Sequence, residues 1–163
     1  MMGIFRRPVR RSGSGFVIDL RDEEAALIRR LVGQLRALLT DDDPDPESRA
    51  LIVRLFPVAY PDDDEMEAEY QRLMRDELVQ SKLAAFDVID DAVAGGDVID
   101  EGRLVAVMQS INSIRLVLGV ILDVSDDPDR AEVDEAAEDS PEYHLYGYLS
   151  MLLDACVQAL SGH

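Results

Sequence analysis

The chain has 163 residues, of which 47% are hydrophobic, so it is long enough to form one globular domain with a buried core. Its net charge of −18 argues against a surface built as a whole to bind nucleic acid. A single cysteine excludes an intrachain disulfide and is typical of the cytoplasm. No apolar run approaches the roughly 18–20 residues of a membrane span. No apolar segment follows the first arginines, so we do not expect a secretory signal.

Positive charge is concentrated at the start of the chain. Residues 1–36 hold eight arginines against four acidic residues, a net charge of +4, whereas residues 37–163 hold eight basic and thirty acidic residues, a net charge of −22. Four of the arginines form a cluster: Arg6, Arg7, Arg10 and Arg11. The asymmetry predicts either an arginine-rich arm that contacts a partner or a segment that neutralises part of the protein's own surface.

The first elements follow from turn residues and periodicity. Two short extended runs, Ile4–Val9 and Gly15–Leu20, predict the strands of a β-hairpin. The turn between them is predicted over Arg10-Arg11-Ser12-Gly13-Ser14, because glycine and serine favour turns. Leucines at the helical period predict a first helix over residues 22–39, with acidic residues in its first turn. A loop of prolines and aspartates precedes a short helix over residues 48–55. A long helix over residues 62–94 then ends at a glycine pair.

The segment Ile111–Leu122 is almost wholly apolar, and Arg115 is its only charged residue. A helix that is apolar on nearly all sides normally lies at the centre of a fold, so we expect a central helix over residues 102–124. A buried guanidinium cannot lose its proton and needs an acceptor, and we predict a structural ion pair between Arg115 and Glu77 of the preceding helix. The alternative is that the Arg115 side chain extends to the surface.

A final helix is expected over residues 140–161, because Ser140 suits the N-cap position and Pro141 the first helical position. An acidic loop that contains a proline separates it from the central helix. The sequence therefore predicts a mainly α fold, a bundle of about five helices with a short N-terminal β-hairpin, in a single domain over residues 1–163.

No catalytic, cofactor-binding or metal site is predicted. The aspartate cluster Asp41–Asp45 fails the EF-hand pattern, since the required glycine and glutamate are replaced by Pro46 and Ile52. His144 and Cys156 alone are too few ligands for zinc. No nucleophile elbow, zinc-protease, phosphate-loop or dinucleotide-binding motif is found, so we do not expect an enzyme.

The last helix carries residues with two interpretations each. Cys156 has apolar neighbours at helical spacing, so we expect a buried thiol with a raised pKa; the alternative is a redox switch, which needs exposure. Three tyrosines, Tyr143, Tyr146 and Tyr148, could form a partner-binding patch. The helical spacing favours instead a half-buried position against the central helix.

The stretch Asn112–Gly119, followed by Leu122-Asp123-Val124, resembles the LNDxRLxLGxxLxV signature of an actinobacterial family catalogued as domain of unknown function 2017. Tyr143–Leu160 resembles the tyrosine-bearing last helix of that family. The resemblance implies a link to Clp proteolysis, since the family's genes usually lie beside that of the adaptor ClpS. It also implies a link to oxidative-stress transcription control, since AosR-like members act through a cysteine pair and a sigma factor. This chain has Cys156 alone, which excludes an intramolecular switch.

We therefore expect a non-enzymatic cytoplasmic regulatory module that acts by protein–protein interaction and has no cofactor. ClpS, a Clp component or a sigma factor is implied as partner by the resemblance alone. The alternative is a DNA-associated transcriptional regulator that uses Arg6, Arg7, Arg10 and Arg11 as a phosphate-contacting arm. Membrane binding is not expected, and self-association is compatible with the sequence.

Overall fold

The computed structural model describes residues 7–121 and 141–162 of the chain. Within these ranges a two-stranded hairpin is followed by five helices. The elements are β1 (Val9–Ser12), β2 (Gly15–Ile18), α1 (Asp22–Thr40), α2 (Pro46–Leu55), α3 (Asp64–Val93), α4 (Glu101–Ile121) and α5 (Pro141–Ser161). The predicted fold class, a mainly α bundle of about five helices with a short N-terminal β-hairpin, is confirmed.

Apart from the end of α4, where the described residues stop, the described helix ends lie within two residues of the predicted ones. Aspartates explain three of the helix starts. The side chains of Asp45, Asp63 and Asp100 each accept a hydrogen bond from the backbone N–H three residues later, at 2.7, 3.1 and 2.8 Å. These bonds satisfy N–H groups that have no partner inside the helix. The predicted helical residues 122–124 and 140 lie outside the described part of the chain.

The hairpin is tighter than predicted. Its turn consists of Gly13 and Ser14 alone, between the paired ends of β1 and β2. Gly13 has a φ of +63°, a left-handed conformation that a two-residue hairpin turn requires and that glycine adopts at little cost. Arg10 and Arg11, which the sequence placed in the turn, are therefore strand residues. The first residues of the predicted strand lie outside the described part of the chain.

β2 is fixed to the connector between α3 and α4. The backbone N–H of Phe16 donates to the carbonyl of Ile99, and the N–H of Ile99 donates to the carbonyl of Phe16, both at 2.8 Å. The adjacent Gly15 permits this close approach. A Cβ atom at that position would collide with the Val98 side chain and lie 2.7 Å from the Ile99 carbonyl oxygen.

α4 is the central helix, as predicted, and packs against β2 and the four other helices. Its inner face and the faces that meet it are buried. The fully buried large side chains include Leu104, Val107 and Ile111 of α4, Phe86 and Ile89 of α3, Leu149 and Leu152 of α5, and Ile28 and Val32 of α1. Removal of this apolar surface from water is the main stabilising contribution to the fold.

α4 departs from the sequence-based expectation that no apolar run approaches membrane-spanning length. In the described ranges, the segment Glu101–Val120 is long and apolar enough to cross a membrane by length and composition alone. The core helix of a water-soluble protein meets the same criterion, and α4 occupies that position here. Composition and position in the bundle are thus consistent with a core role.

Candidate functional site

Arg115 lies half-buried between α4 and α5. Its Nε donates to the Ser150 hydroxyl at 3.0 Å and its Nη1 to the Asn112 side-chain carbonyl at 3.3 Å. Its Cζ lies 5.3 Å from the centroid of the Tyr146 ring. The predicted ion pair with Glu77 does not form: Glu77 is exposed on α3, whereas the guanidinium is directed towards α5. Among the described residues, a hydroxyl, an amide and an aromatic face, and no carboxylate, surround the charge.

The described arginines of the cluster, Arg7, Arg10 and Arg11, do not all extend from the protein as one arm. Arg11 reaches the end of α5, where its Nε donates to the Ala159 carbonyl at 2.9 Å and its Nη2 to the Leu160 carbonyl at 3.1 Å. Carbonyls in the last helical turn lack intrahelical partners, and a cation there also interacts favourably with the helix dipole. Arg11 therefore attaches the hairpin to α5.

Like Arg11, the other described members of the cluster are exposed residues. Arg10 forms an ion pair with Asp19, with 3.4 Å between Nη1 and Oδ2, and half of its side chain is exposed. Arg7 is also exposed. Arg6 lies outside the described residues. Among the described residues, Arg7 and Arg10 remain available as the predicted contact surface, since Nε and Nη2 of Arg11 donate within the protein.

The outer edge of β1 carries backbone groups that β2 does not use. The N–H of Asp19 donates to the carbonyl of Pro8 at 2.8 Å, so hydrogen-bonded pairs alternate along the hairpin from that position. The backbone N–H and C=O of Arg10 consequently face β2, whereas those of Val9 and Arg11 face away. Within residues 7–121 and 141–162, these outward groups have no hydrogen-bond partner.

A groove of about 560 Å³ runs between this edge and α5, and we name it the β1–α5 groove. Its strand wall is formed by residues 7–11, and its helix wall includes Met151, Asp154, Ala155 and Gln158. Met151 is half exposed, so the groove combines an apolar contact with positive charge along its strand wall and the single carboxylate of Asp154 on its helix wall. Sequence reasoning found the arginines but missed the helix wall, because Arg11 and Ala159 are 148 positions apart.

Cys156 is completely buried in the core, as predicted. Burial raises the pKa of its thiol to about 12, so the reactive thiolate is suppressed near neutral pH. This environment disfavours redox chemistry at Cys156. The three tyrosines of α5, Tyr143, Tyr146 and Tyr148, are half-buried, in agreement with the packing interpretation.

Comparison with known proteins identifies the chain's relatives only at the level of a family. The model of a domain of unknown function, DUF2017, matches residues 6–160. The chain belongs to the DUF2017 family. No curated protein and no solved structure matches it. The match extends from the arginine cluster to the end of α5, so both walls of the β1–α5 groove lie within the DUF2017 domain.

Proposed function

We propose that this DUF2017 protein is a non-enzymatic cytoplasmic regulatory module that binds an extended, acidic segment of a partner protein in the β1–α5 groove. The observation that carries the proposal is the open outer edge of β1. A peptide added as a further strand would pair with the backbone groups of Val9 and Arg11. ClpS, a Clp component and a sigma factor are the partners to test first, on the strength of the family resemblance.

Charge favours an acidic partner over a second copy of the chain. Two-fold pairing of β1 with itself through Val9 and Arg11 would place the two copies of Arg10 directly opposite each other. Like charges in that position destabilise a strand pair. An acidic segment would instead meet Arg7 and Arg10 and bury its apolar side chains against Met151. A concentration-dependent dimer seen by light scattering would contradict this argument.

A fluorescein-labelled peptide of alternating glutamate and valine tests the proposal, since the alternation suits a strand with one charged face. Fluorescence anisotropy should show binding that weakens as salt is raised. In ¹H–¹⁵N spectra, the amide signals of Val9 and Arg11 should shift on titration. A lysine-valine peptide is the control for charge. Equal binding of both peptides, or shifts elsewhere alone, would refute the assignment.

One pair of protein variants and one pair of N-methylated peptides distinguish strand addition from nonspecific electrostatic attraction. Replacement of Arg7 and Arg10 by alanine should weaken binding by about tenfold or more, whereas Arg30→Ala, which removes an exposed charge on α1, should have little effect. N-methylation of the peptide amides that face β1 should abolish binding. N-methylation of the alternate amides should be tolerated, because those amides face solvent.

The same preparation tests the DNA-associated alternative. With Arg11 engaged on α5 and Arg10 paired with Asp19, Arg7 is the one described member of the arginine cluster without such a contact to offer a phosphate. We expect no binding of a labelled duplex DNA at physiological salt. Salt-dependent duplex binding that is lost when Arg7 and Arg10 are replaced by alanine would replace the protein-binding proposal by the nucleic-acid one.

A further inference from the structure

A second cavity, of about 190 Å³, lies where the end of α2 meets the middle of α3 and α4. It shares no residue with the β1–α5 groove. Its apolar lining includes Leu55, Phe56, Leu78, Ala85 and Phe86. Its polar lining includes Lys82 of α3 and Gln109 and Ser113 of α4. We name it the Lys82 pocket.

Lys82 is a half-buried cation without a carboxylate partner. Its Nζ donates to the Ser113 hydroxyl at 3.4 Å and lies 5.7 Å from the centroid of the Phe56 ring. Among the described residues, none of the acidic side chains forms an ion pair with it. Loss of water around the ammonium lowers the pKa of Lys82. A neutral side chain would fill this position at a lower desolvation cost.

The neighbouring hydroxyls cannot replace an anion. Ser113 donates its proton to the Gln109 carbonyl at 3.0 Å, and Ser110 donates its proton to the Ala106 carbonyl at 3.0 Å. Ser113 can therefore only accept from Lys82. An ammonium has three donors, and one is directed to Ser113, so two remain for a ligand. The pocket thus has spare donors and an uncompensated positive charge beside an apolar lining.

We propose that the Lys82 pocket binds the carboxylate of a small aliphatic acid or of a peptide C-terminus, with the ammonium of Lys82 paired to the carboxylate and the apolar lining around the aliphatic group. The volume suits a ligand about the size of one residue, since drug-sized ligands occupy about 300 Å³ or more. The inference does not rest on the proposed function, because the two sites share no residue.

The surroundings favour a carboxylate over a phosphate. A phosphate dianion is bound by guanidinium forks, several backbone N–H groups or a helix N-terminus, none of which lines this cavity. The nearest guanidinium along α3, that of Arg75, lies 4.2 Å from the centroid of the Phe56 ring and donates to Gln71 at 2.9 Å. A single ammonium matches a single negative charge.

Titration followed by ¹H–¹⁵N spectra tests the inference with four probes: isovalerate, an acetylated tetrapeptide ending in leucine, its C-terminal amide, and inorganic phosphate. We expect saturable shifts at Lys82, Gln109 and Ser113 with the first two probes and none with the last two. Affinity for isovalerate should be weak, on the order of 1 mM. If the tetrapeptide acid binds and isovalerate does not, the ligand is a peptide C-terminus. If isovalerate binds as tightly as the tetrapeptide acid, a free aliphatic acid is sufficient.

Two variants complete the test. Lys82→Met should weaken carboxylate binding at least tenfold while the melting temperature stays the same or rises. Arg72→Met removes an exposed cation from the same helix and should leave binding unchanged. Absence of shifts with both carboxylates, equal binding of the peptide amide, or loss of folding in Lys82→Met would overturn the inference. The last outcome would assign the ammonium a purely structural role.

Discussion

The β1–α5 groove and the Lys82 pocket both present positive charge in a chain with a net charge of −18, yet their cations differ in what surrounds them. In the groove, Arg7 is exposed, Arg10 is paired with Asp19, and Arg11 donates to carbonyls of α5. In the pocket, Lys82 is half-buried, and its ammonium contacts a hydroxyl and an aromatic ring but no carboxylate of the described residues. Solvated or satisfied cations cost little and attract partners at long range, whereas a desolvated cation without a counter-ion favours a ligand that supplies one.

The largest effect on stability should come from detaching the hairpin. This change should also disrupt the β1–α5 groove without affecting the Lys82 pocket. Gly15→Val places a branched side chain against Val98 and the Ile99 carbonyl, so the strand must move. We expect the free energy of unfolding to fall by about 2–4 kcal/mol in chemical denaturation. Acidic-peptide binding should be lost and carboxylate binding kept. Loss of both activities together would show that the sites are coupled.

Gly33→Ala is the control for that experiment. A Cβ atom at Gly33 has no neighbour within 4 Å, and the position lies inside α1. Alanine should therefore stabilise the helix by about 0.5–1 kcal/mol. If Gly15→Val does not lower the free energy of unfolding, the close approach of β2 to the α3–α4 connector does not exist in solution.

Removal of the hairpin's attachment to α5 should have the next largest effect. Arg11→Met keeps much of the side-chain volume but loses both hydrogen bonds to the last turn, and we expect a cost of about 1–2 kcal/mol. Hydrogen exchange should accelerate at the end of α5. Arg11→Lys should recover part of the loss, because a cation near the helix end is retained. Equal stability of all three proteins would contradict the capping role.

The buried thiol of Cys156 provides a pH test of desolvation in the core. Its pKa is raised to about 12, so above the ordinary thiol pKa of 9.0 the unfolded chain loses a proton that the folded chain keeps. Stability is then lost as pH rises, by about 1.4 kcal/mol between pH 8 and 10. Cys156→Ala should lack this part of the pH dependence. Native protein should also resist iodoacetamide until it unfolds, and rapid labelling would contradict the burial.

The smallest expected effect concerns Arg115, which is half-buried like Lys82 but donates hydrogen bonds within the protein like Arg11. Ser150→Ala removes the hydroxyl that accepts from its Nε and should cost about 1 kcal/mol. Glu77→Gln should change stability by less than about 0.5 kcal/mol, because Glu77 is exposed. A double-mutant cycle with Arg115→Met measures both couplings. Coupling to Glu77 larger than that to Ser150 would restore the ion pair predicted from the sequence.

The sequence predicted helix positions well because periodicity and caps are local properties. Pro141 was predicted as the first residue of the last helix, and α5 begins there. The helical period of the leucines predicted α1, which buries Leu35 together with Ile28 and Val32. The error over Arg115 arose because periodicity does not determine which neighbouring helix faces a given side chain. The length of the turn could not be read either, since Arg10 and Arg11 favour a loop as readily as an edge strand.

The two sites were less accessible to sequence reasoning than the fold. The arginines of the groove stood out by charge, but their opposite wall is formed by α5, far along the chain. Lys82 reads as an ordinary helix-surface lysine in an acidic helix. Its partial burial results from Phe56, which follows α2 and packs beside it. Both the helix wall of the groove and the partial burial of Lys82 thus arise from contacts between segments distant in the sequence, which local sequence patterns do not indicate.

The attachment of Arg11 to the last turn of α5 has a consequence for synthesis. The strand that carries Arg11 leaves the ribosome early, but the carbonyls that it binds belong to Ala159 and Leu160. The segment made first is thus fully secured only after residue 160 has emerged from the exit tunnel. During translation the open edge of β1 would lack its helix wall, and a nascent chain stalled before that point would expose it to chaperones and proteases.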